Sequence, residues 1–245
     1  MLNGWIILDK PLGLGSTAGV SAVKRALREG GYPKVKVGHG GTLDPLATGV
    51  LPIALGEATK LAGRMLDSDK IYEFTIAFGA ETDTLDLEGR VIAENAYRPA
   101  LAEIEAVLPR FTGPIEQVPP AYSALKVDGK RAYDLARAGK SPVIAARGVT
   151  VHELRASAPP REPFSLAQRR RGAEDVLESV SLTVHVSKGT YIRSLARDIA
   201  HALNTVGHVT MLRRTKSGPF TLEQAISLDI LMEKAKARAL EDVTL

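Results

Sequence analysis

The chain has 245 residues, 44% of them hydrophobic, and carries 32 Lys and Arg against 28 Asp and Glu, for a formal net charge of +4. This is enough apolar material for one large domain or two modest ones, and the mild basic excess is compatible with a polyanionic partner. Cysteine is absent, which excludes a disulfide, a thiol nucleophile and a cysteine-ligated metal, and no apolar run approaches the roughly 18–20 residues of a bilayer span.

The opening stretch MLNGWIILDKP has no basic n-region and no small-residue cleavage site, so it reads as a first strand rather than a signal peptide. A cytoplasmic protein is expected. Gly13-Leu14-Gly15-Ser16-Thr17 lacks both the Walker spacing with its lysine and the dinucleotide glycine fingerprint; it reads as a turn into a helix over Ser16–Arg28. After the glycine-rich stretch GHGGTLDPLATG (residues 38–49) come a strand at Val50–Leu55, a helix at Glu57–Leu66 with Gly63 near its end, and a strand at Ile71–Phe78.

Helical spacing returns at Leu101–Leu108 and Ala132–Ala138, the latter ended by Gly139, and Val127-Asp128-Gly129-Lys130 is a hairpin signal. A strand is expected at Val149–Leu154, and the polar, proline-rich residues 157–175 read as a surface loop. Val180, Leu182, Val184 and Val186 alternate with polar residues, the mark of a half-buried strand. Ile192, Leu195, Ala196, Ile199 and Leu203 form a helical stripe, with Arg193, Arg197, Asp198 and His201 on other faces, and a last helix is expected at Leu228–Leu240. Strands and helices do not alternate regularly. The expected class is therefore α+β, with a mixed, largely antiparallel central sheet flanked by helices and loops, in one continuous domain over 1–245.

The five histidines, His39, His152, His185, His201 and His208, show neither an HExxH motif nor paired ligand spacing, so no metal is expected; nor does a GxSxG elbow support a serine triad. Asp44 stands out. The glycines before it permit unusual backbone conformations and close approach of another chain, and Pro45 biases Asp44 toward an extended conformation that would aim its carboxylate. Taken alone, the stretch reads more readily as an Asx-type turn than as the seat of a catalytic acid. Lys34 with Lys36, Arg169–Arg171, and Arg213 with Arg214 and Lys216 are basic clusters whose ordinary reading is solvated surface.

GHGGTLDPLATGVLPIALGEATK resembles the signature of TruB-type tRNA pseudouridine synthases, which convert the T-loop uridine at position 55 of tRNA. LDKPLG at 8–13, DKIYEF at 69–74, GAETDTLDLEG at 79–89, YSALKVDGKRAYDLAR at 122–137, SKGTYIRSLARDIA at 187–200 and HVTMLRRTKSG at 208–218 match in the family's order. The resemblance implies the pseudouridine-synthase fold, an isomerase without a cofactor, a tRNA T-arm substrate, no obligatory protein partner and a monomer.

By the same resemblance, Asp44 is the catalytic aspartate, Arg193 the arginine that pairs with it, and Tyr72 the tyrosine that stacks on the target base. Tyr191 and Leu212 match other base-pocket positions. His39 matches the histidine that enters the space left by a flipped-out nucleotide, and Lys10 and Lys60 match basic positions for phosphate contact or local structure. The cluster at Arg213, Arg214 and Lys216 would meet the tRNA backbone. Gly40 stands where many relatives carry threonine or alanine, and Glu81 where some carry arginine. Many relatives add a C-terminal PUA-type RNA-binding domain; its sequence is not expected in 1–245. Two competing readings are a guide-RNA-directed, dyskerin-like enzyme and a tRNA-binding or tRNA-folding protein without chemistry.

Overall fold

The computed structural model describes every residue except 1, 124, 128, 141–143, 158–168 and 172–173. In chain order its strands and α-helices are β1 (Gly4–Lys10), α1 (Ser16–Glu29), β2 (Val37–His39), β3 (Ala47–Leu55), α2 (Ala62–Asp67), β4 (Lys70–Phe78), β5 (Ala80–Thr82), β6 (Val91–Glu94) and α3 (Leu101–Val107). They continue with β7 (Gly113–Gln117), β8 (Lys126–Val127), β9 (Lys130–Arg131), α4 (Ala132–Arg137), β10 (Arg147–Ala156), β11 (Arg169–Arg171) and β12 (Glu174–Val176). The last are β13 (Ser179–Val186), α5 (Ile192–Ala202), β14 (Gly207–Ser217), β15 (Phe220–Thr221) and α6 (Leu228–Lys236). The chain divides into two compact units, Met1–Tyr72 with Leu212–Leu245, and Glu73–Met211. The class is α+β with a mixed, mostly antiparallel sheet.

In the first unit β3 is the central strand. β1 pairs with it antiparallel from Gly4↔Leu55 to Lys10↔Gly49, while the end of β14 pairs with its start in parallel, from Leu212↔Ala47 to Arg214↔Gly49. Ile6, Ile7, Leu8, Val50, Leu51 and Ile53 are all buried, so period-2 alternation is lost. The physical reason is that both faces are covered. Trp5, Ile7, Val50, Ala54 and Phe220 form a cluster on one side, and Leu8 and Leu51 approach Gly19 of α1 on the other. Each such side chain contributes about 1.5–3 kcal/mol on burial.

In the second unit, strands follow the order β14–β4–β13–β10–β7. Alternation is clean here. Phe74, Ile76 and Phe78 of β4 and Val180, Leu182, Val184 and Val186 of β13 are buried, as are Ile192, Leu195, Ala196 and Ile199 of α5.

Several expectations are corrected. The span expected to be one helix at 57–66 is a 3-10 helix at Gly56–Leu61 followed by α2, and Gly63 lies inside α2 rather than at an end. The expected Leu228–Leu240 helix stops at Lys236, because Arg238 takes a left-handed φ of 56° and a 3-10 turn begins at Leu240. Gly139, with φ 72°, does follow α4. Within the expected 157–175 loop, β11 and β12 form an antiparallel ribbon from Arg171↔Glu174 to Arg169↔Val176; 158–168 and 172–173 lie outside the described residues.

Candidate active site

Lys10, His39, Asp44, Lys60, Tyr72 and Leu212 belong to the first unit, and Tyr191 and Arg193 to the second. Asp44 lies in the loop between β2 and β3, and both of its neighbours are anchored. The Ser16 hydroxyl donates to the Leu43 carbonyl at 2.9 Å and accepts the Leu43 N–H at 2.8 Å. The Pro45 carbonyl accepts from Gly13 N–H at 2.9 Å and from Lys10 Nζ at 3.1 Å. Ala47 N–H closes the turn on the Asp44 carbonyl at 3.0 Å, with Pro45 in the position where a locked φ favours turning. Thus the backbone on either side of the acid has little freedom, while Asp44 itself is only half-buried.

Two buried cations support this loop. Lys10 is completely buried, and its ammonium also donates to the carbonyls of Pro11 at 3.1 Å and Leu14 at 2.6 Å. Burial pushes its pKa down to about 8; the negative charge of Asp44 opposes that fall and the Arg214 guanidinium adds to it. Arg214, 1% exposed, donates Nε to Val50 O at 2.8 Å, Nη1 to Thr42 O at 3.3 Å and Nη2 to Gly41 O at 3.4 Å, so it ties the start of β3 to the loop. An arginine expected to meet an RNA backbone is therefore structural, because its donors are engaged by carbonyls inside the fold. Arg213 is likewise engaged, with both carboxylate oxygens of Asp9 at 3.0 and 2.8 Å.

The glycines of the stretch answer mostly to the protein itself. At Gly49, φ is 97° and an added Cβ would lie 2.2 Å from the Arg214 carbonyl; at Gly40 it would lie 2.6 Å from Met65 Cβ. Only at Gly38 is the surrounding space open. Of the remaining first-unit residues, His39 is half-buried, and its Nδ1 accepts the Gly41 N–H at 3.4 Å. Burial, and secondarily Arg214, hold its pKa below the ordinary 6.5. Tyr72 is buried on β4, and Leu212 sits opposite Ala47 on β14. Lys60 is exposed and paired with Glu57.

In the second unit, Arg193 is 5% exposed and not the solvent-facing helix residue its position off the apolar stripe suggests. It donates Nη1 to Thr84 O at 2.8 Å and Nη2 to Tyr122 O at 3.0 Å, and Nη1 lies 3.6 Å from an Asp86 carboxylate oxygen. Asp86 in turn accepts from Thr84 Oγ1 at 2.6 Å and Glu88 N–H at 3.0 Å. Between Thr84 and Asp86, Leu85 holds a φ of 63°, a costly conformation for a branched side chain that is secured by burial and by Val209 N–H on its carbonyl at 3.0 Å. Tyr191 is the N-cap of α5, beside Arg193. Outside this network His152, at a bulge in β10, lies against His185 of β13 with ring centroids 4.7 Å apart, a pairing invisible in their spacing.

The model of the TruB family pseudouridylate synthase N-terminal domain matches residues 25–192, and that of the tRNA pseudouridylate synthase B C-terminal domain matches 193–244. The chain belongs to the TruB family. It is 62% identical over 245 residues to tRNA pseudouridine synthase B of Novosphingobium aromaticivorans, covering all of this chain and 77% of the relative. It is 60% identical over 244 residues to tRNA pseudouridine synthase B of Zymomonas mobilis, covering 75% of that relative. Among solved structures, a chain of a Cbf5-Nop10-Gar1 complex is similar with a TM-score of 0.69 and 30% identity over 98% of this chain. A chain of an H/ACA ribonucleoprotein bound to a substrate RNA containing 2′-deoxyuridine follows with a TM-score of 0.65 and 27% identity, again over 98% of this chain. This chain spans 57% and 55% of those two chains' lengths.

Within this TruB-family chain, Asp86 and Arg214 are the residues that the sequence reading left without their roles. Asp86 lies inside the GAETDTLDLEG motif, whose run of acids and threonines is the signal that could have marked it. Arg214 was noticed, as part of a basic cluster, but nothing in its spacing marks it as buried.

Proposed function

We propose that this protein isomerises the T-loop uridine at position 55 of tRNA to pseudouridine, with Asp44 as the acting carboxylate. The observation that carries the reading is the anchoring of Asp44: a half-buried acid whose two neighbours are fixed through Ser16, Gly13 and Lys10, within the electrostatic reach of a buried ammonium. Fixing a charged group before the substrate arrives is how an active site stabilises charge that develops during reaction.

The chemistry balances without a cofactor. The N1–C1′ bond breaks, the base rotates, C5 bonds to C1′, the C5 proton leaves and N1 takes up a proton. An ionised Asp44 serves attack at C1′ and assisted elimination alike, since both make the sugar electron-poor beside it. In this reading Tyr72 stacks on the target base, a contact worth about 1–3 kcal/mol per stacked base, and Tyr191 and Leu212 take the family's other base-binding roles. Arg193 carries the family's arginine role by resemblance, its guanidinium held in a fixed direction by Thr84, Tyr122 and Asp86. His39 enters the gap left when the nucleotide turns out, offsetting part of a flipping cost of a few kcal/mol. Lys60, exposed beside Glu57, is available to phosphate, whereas Lys10 serves the loop.

A guide-directed enzyme is the second reading, favoured by the ribonucleoprotein likenesses at 30% and 27% identity. The 62% and 60% identities to enzymes named for tRNA weigh toward the stand-alone one. The test is to incubate the purified chain alone with an unmodified tRNA transcript and map pseudouridine by carbodiimide adduct and reverse transcription. One stop at the T-loop uridine is expected. Modification at another site would overturn the assigned position, product only on addition of a guide RNA would favour the second reading, and binding without product would favour an RNA-binding protein.

A further inference from the structure

Tyr191 is gripped by two residues from one pair of strands. Gln117, the last residue of β7, is 1% exposed and commits both ends of its carboxamide to Tyr191. Its Oε1 accepts the Tyr191 N–H at 2.8 Å, and its Nε2 donates to the Tyr191 carbonyl at 3.1 Å. A side chain thus reproduces the two-bond exchange of an antiparallel strand pair. Arg147, the first residue of β10, holds its guanidinium carbon 4.9 Å from the centre of the Tyr191 ring and donates Nη2 to the Gly189 carbonyl.

The β7–β10 register sets Arg147 directly opposite Gln117. One cross-strand pair therefore governs both the backbone and the ring of the same tyrosine. The turn leading to it is tied down as well. Ser187 exchanges bonds with Thr150 of β10, its N–H donating to Thr150 O and its Oγ accepting Thr150 N–H, both at 2.9 Å. Thr190 Oγ1 donates to Ser187 O at 3.0 Å. At Gly189, φ is 79° and an added Cβ would come within 3.3 Å of the Arg147 guanidinium, so the turn leaves room for that arginine. Structural support alone requires grips on the backbone. A planar cation laid over the ring controls where the ring faces.

We propose that Gln117 and Arg147 are positioning residues that hold the Tyr191 ring ready for the substrate base. The proposal rests on reading Tyr191 as a base-pocket residue, and an aromatic ring fixed in advance loses less freedom when the base arrives.

The test is a double-mutant cycle in kcat/KM on unmodified tRNA with Arg147→Ala, Tyr191→Ala and the pair, with melting temperatures measured alongside. Arg147→Ala is expected to lower kcat/KM about tenfold in the parent and less than about twofold in the Tyr191→Ala background, at similar melting temperature. Equal losses in both backgrounds would overturn the proposal, since Arg147 would then act without Tyr191, for instance on RNA directly. If Tyr191→Ala lowers turnover while Arg147→Ala is silent, positioning fails and the pocket reading stands; if Tyr191→Ala is itself silent, the pocket reading fails.

A second readout needs no turnover. In RNA-free protein with labelled tyrosine, Arg147→Ala must shift the Tyr191 ring resonances, assigned through Tyr191→Phe, and an unmoved ring would overturn the proposal. Gln117→Glu sets a second acceptor against the Tyr191 carbonyl and is expected to move ring and rate the same way. Should that variant not fold, the Arg147 arm decides.

Discussion

Lys10 gives a stability prediction whose sign and size follow from its surroundings. Burial lowers its pKa from 10.5 to about 8, so the folded protein gives up this proton before the unfolded chain does. Below about pH 8 both states hold the proton and the cost of the buried charge is fully present. Between about 8 and 10.5 the unfolded chain binds more protons, so this group makes stability rise with pH. Integrated from pH 7 to 9, the gain is about 1.4 kcal/mol. Lys10→Met removes the titration but leaves the carbonyls of Pro11 and Leu14 without their ammonium donor, while Pro45 keeps the Gly13 N–H; the cost, about 1–3 kcal/mol per unsatisfied group, does not vary with pH. The assay is urea unfolding of the parent and Lys10→Met at pH 7 and 9. The parent should gain about 1.4 kcal/mol more than the variant between the two values. Identical gains, or a larger gain in the variant, would refute a buried ammonium titrating near 8. Asp44→Asn removes the charge that holds the proton on, so it should move the parent's gain to lower pH.

Arg214→Met should lose about 3 kcal/mol or more, because Gly41, Thr42 and Val50 lose a buried charged donor; equal urea midpoints would contradict this. His39 should titrate below 6.5 by NMR, and Arg214→Lys, which keeps the positive charge, should leave it low; a midpoint above 6.5 in the parent would contradict the burial argument. Arg213→Ala should lose only about 1 kcal/mol, since its bidentate pair with Asp9 is about one-third exposed and screened by water; a loss as large as that of Arg214→Met would contradict the contrast between them.

What the sequence disclosed depended on whether a residue's partners are local. The turn at Asp44 was legible because its neighbours carry the signal: glycines before it, a proline after it and a bond closed three residues on. The strands of the second unit were legible where one face is buried, as in Val180–Val186. β14 was not read as a strand. Its buried positions include Arg214 and Ser217 beside Val209, so the interior side of the strand does not look apolar, and its parallel partner β3 lies far back in the sequence. Lys10 and Arg214 escaped for a related reason. Each donates its hydrogen bonds to backbone carbonyls, which carry no residue-type signal for a pattern to detect. The burial of Arg193, off the apolar stripe of its helix, was not legible, because Thr84, Asp86 and Tyr122, which enclose it, come from distant segments.

In the proposed reaction Asp44 performs the chemistry and is not merely part of a turn. The direct measurement is tritium release from tRNA labelled at uridine C5, for the parent and for Asp44→Asn, with filter binding of the same tRNA in parallel. Release by the parent, none by the variant, and similar binding by both are expected. Equal release from the two proteins would contradict that role for Asp44.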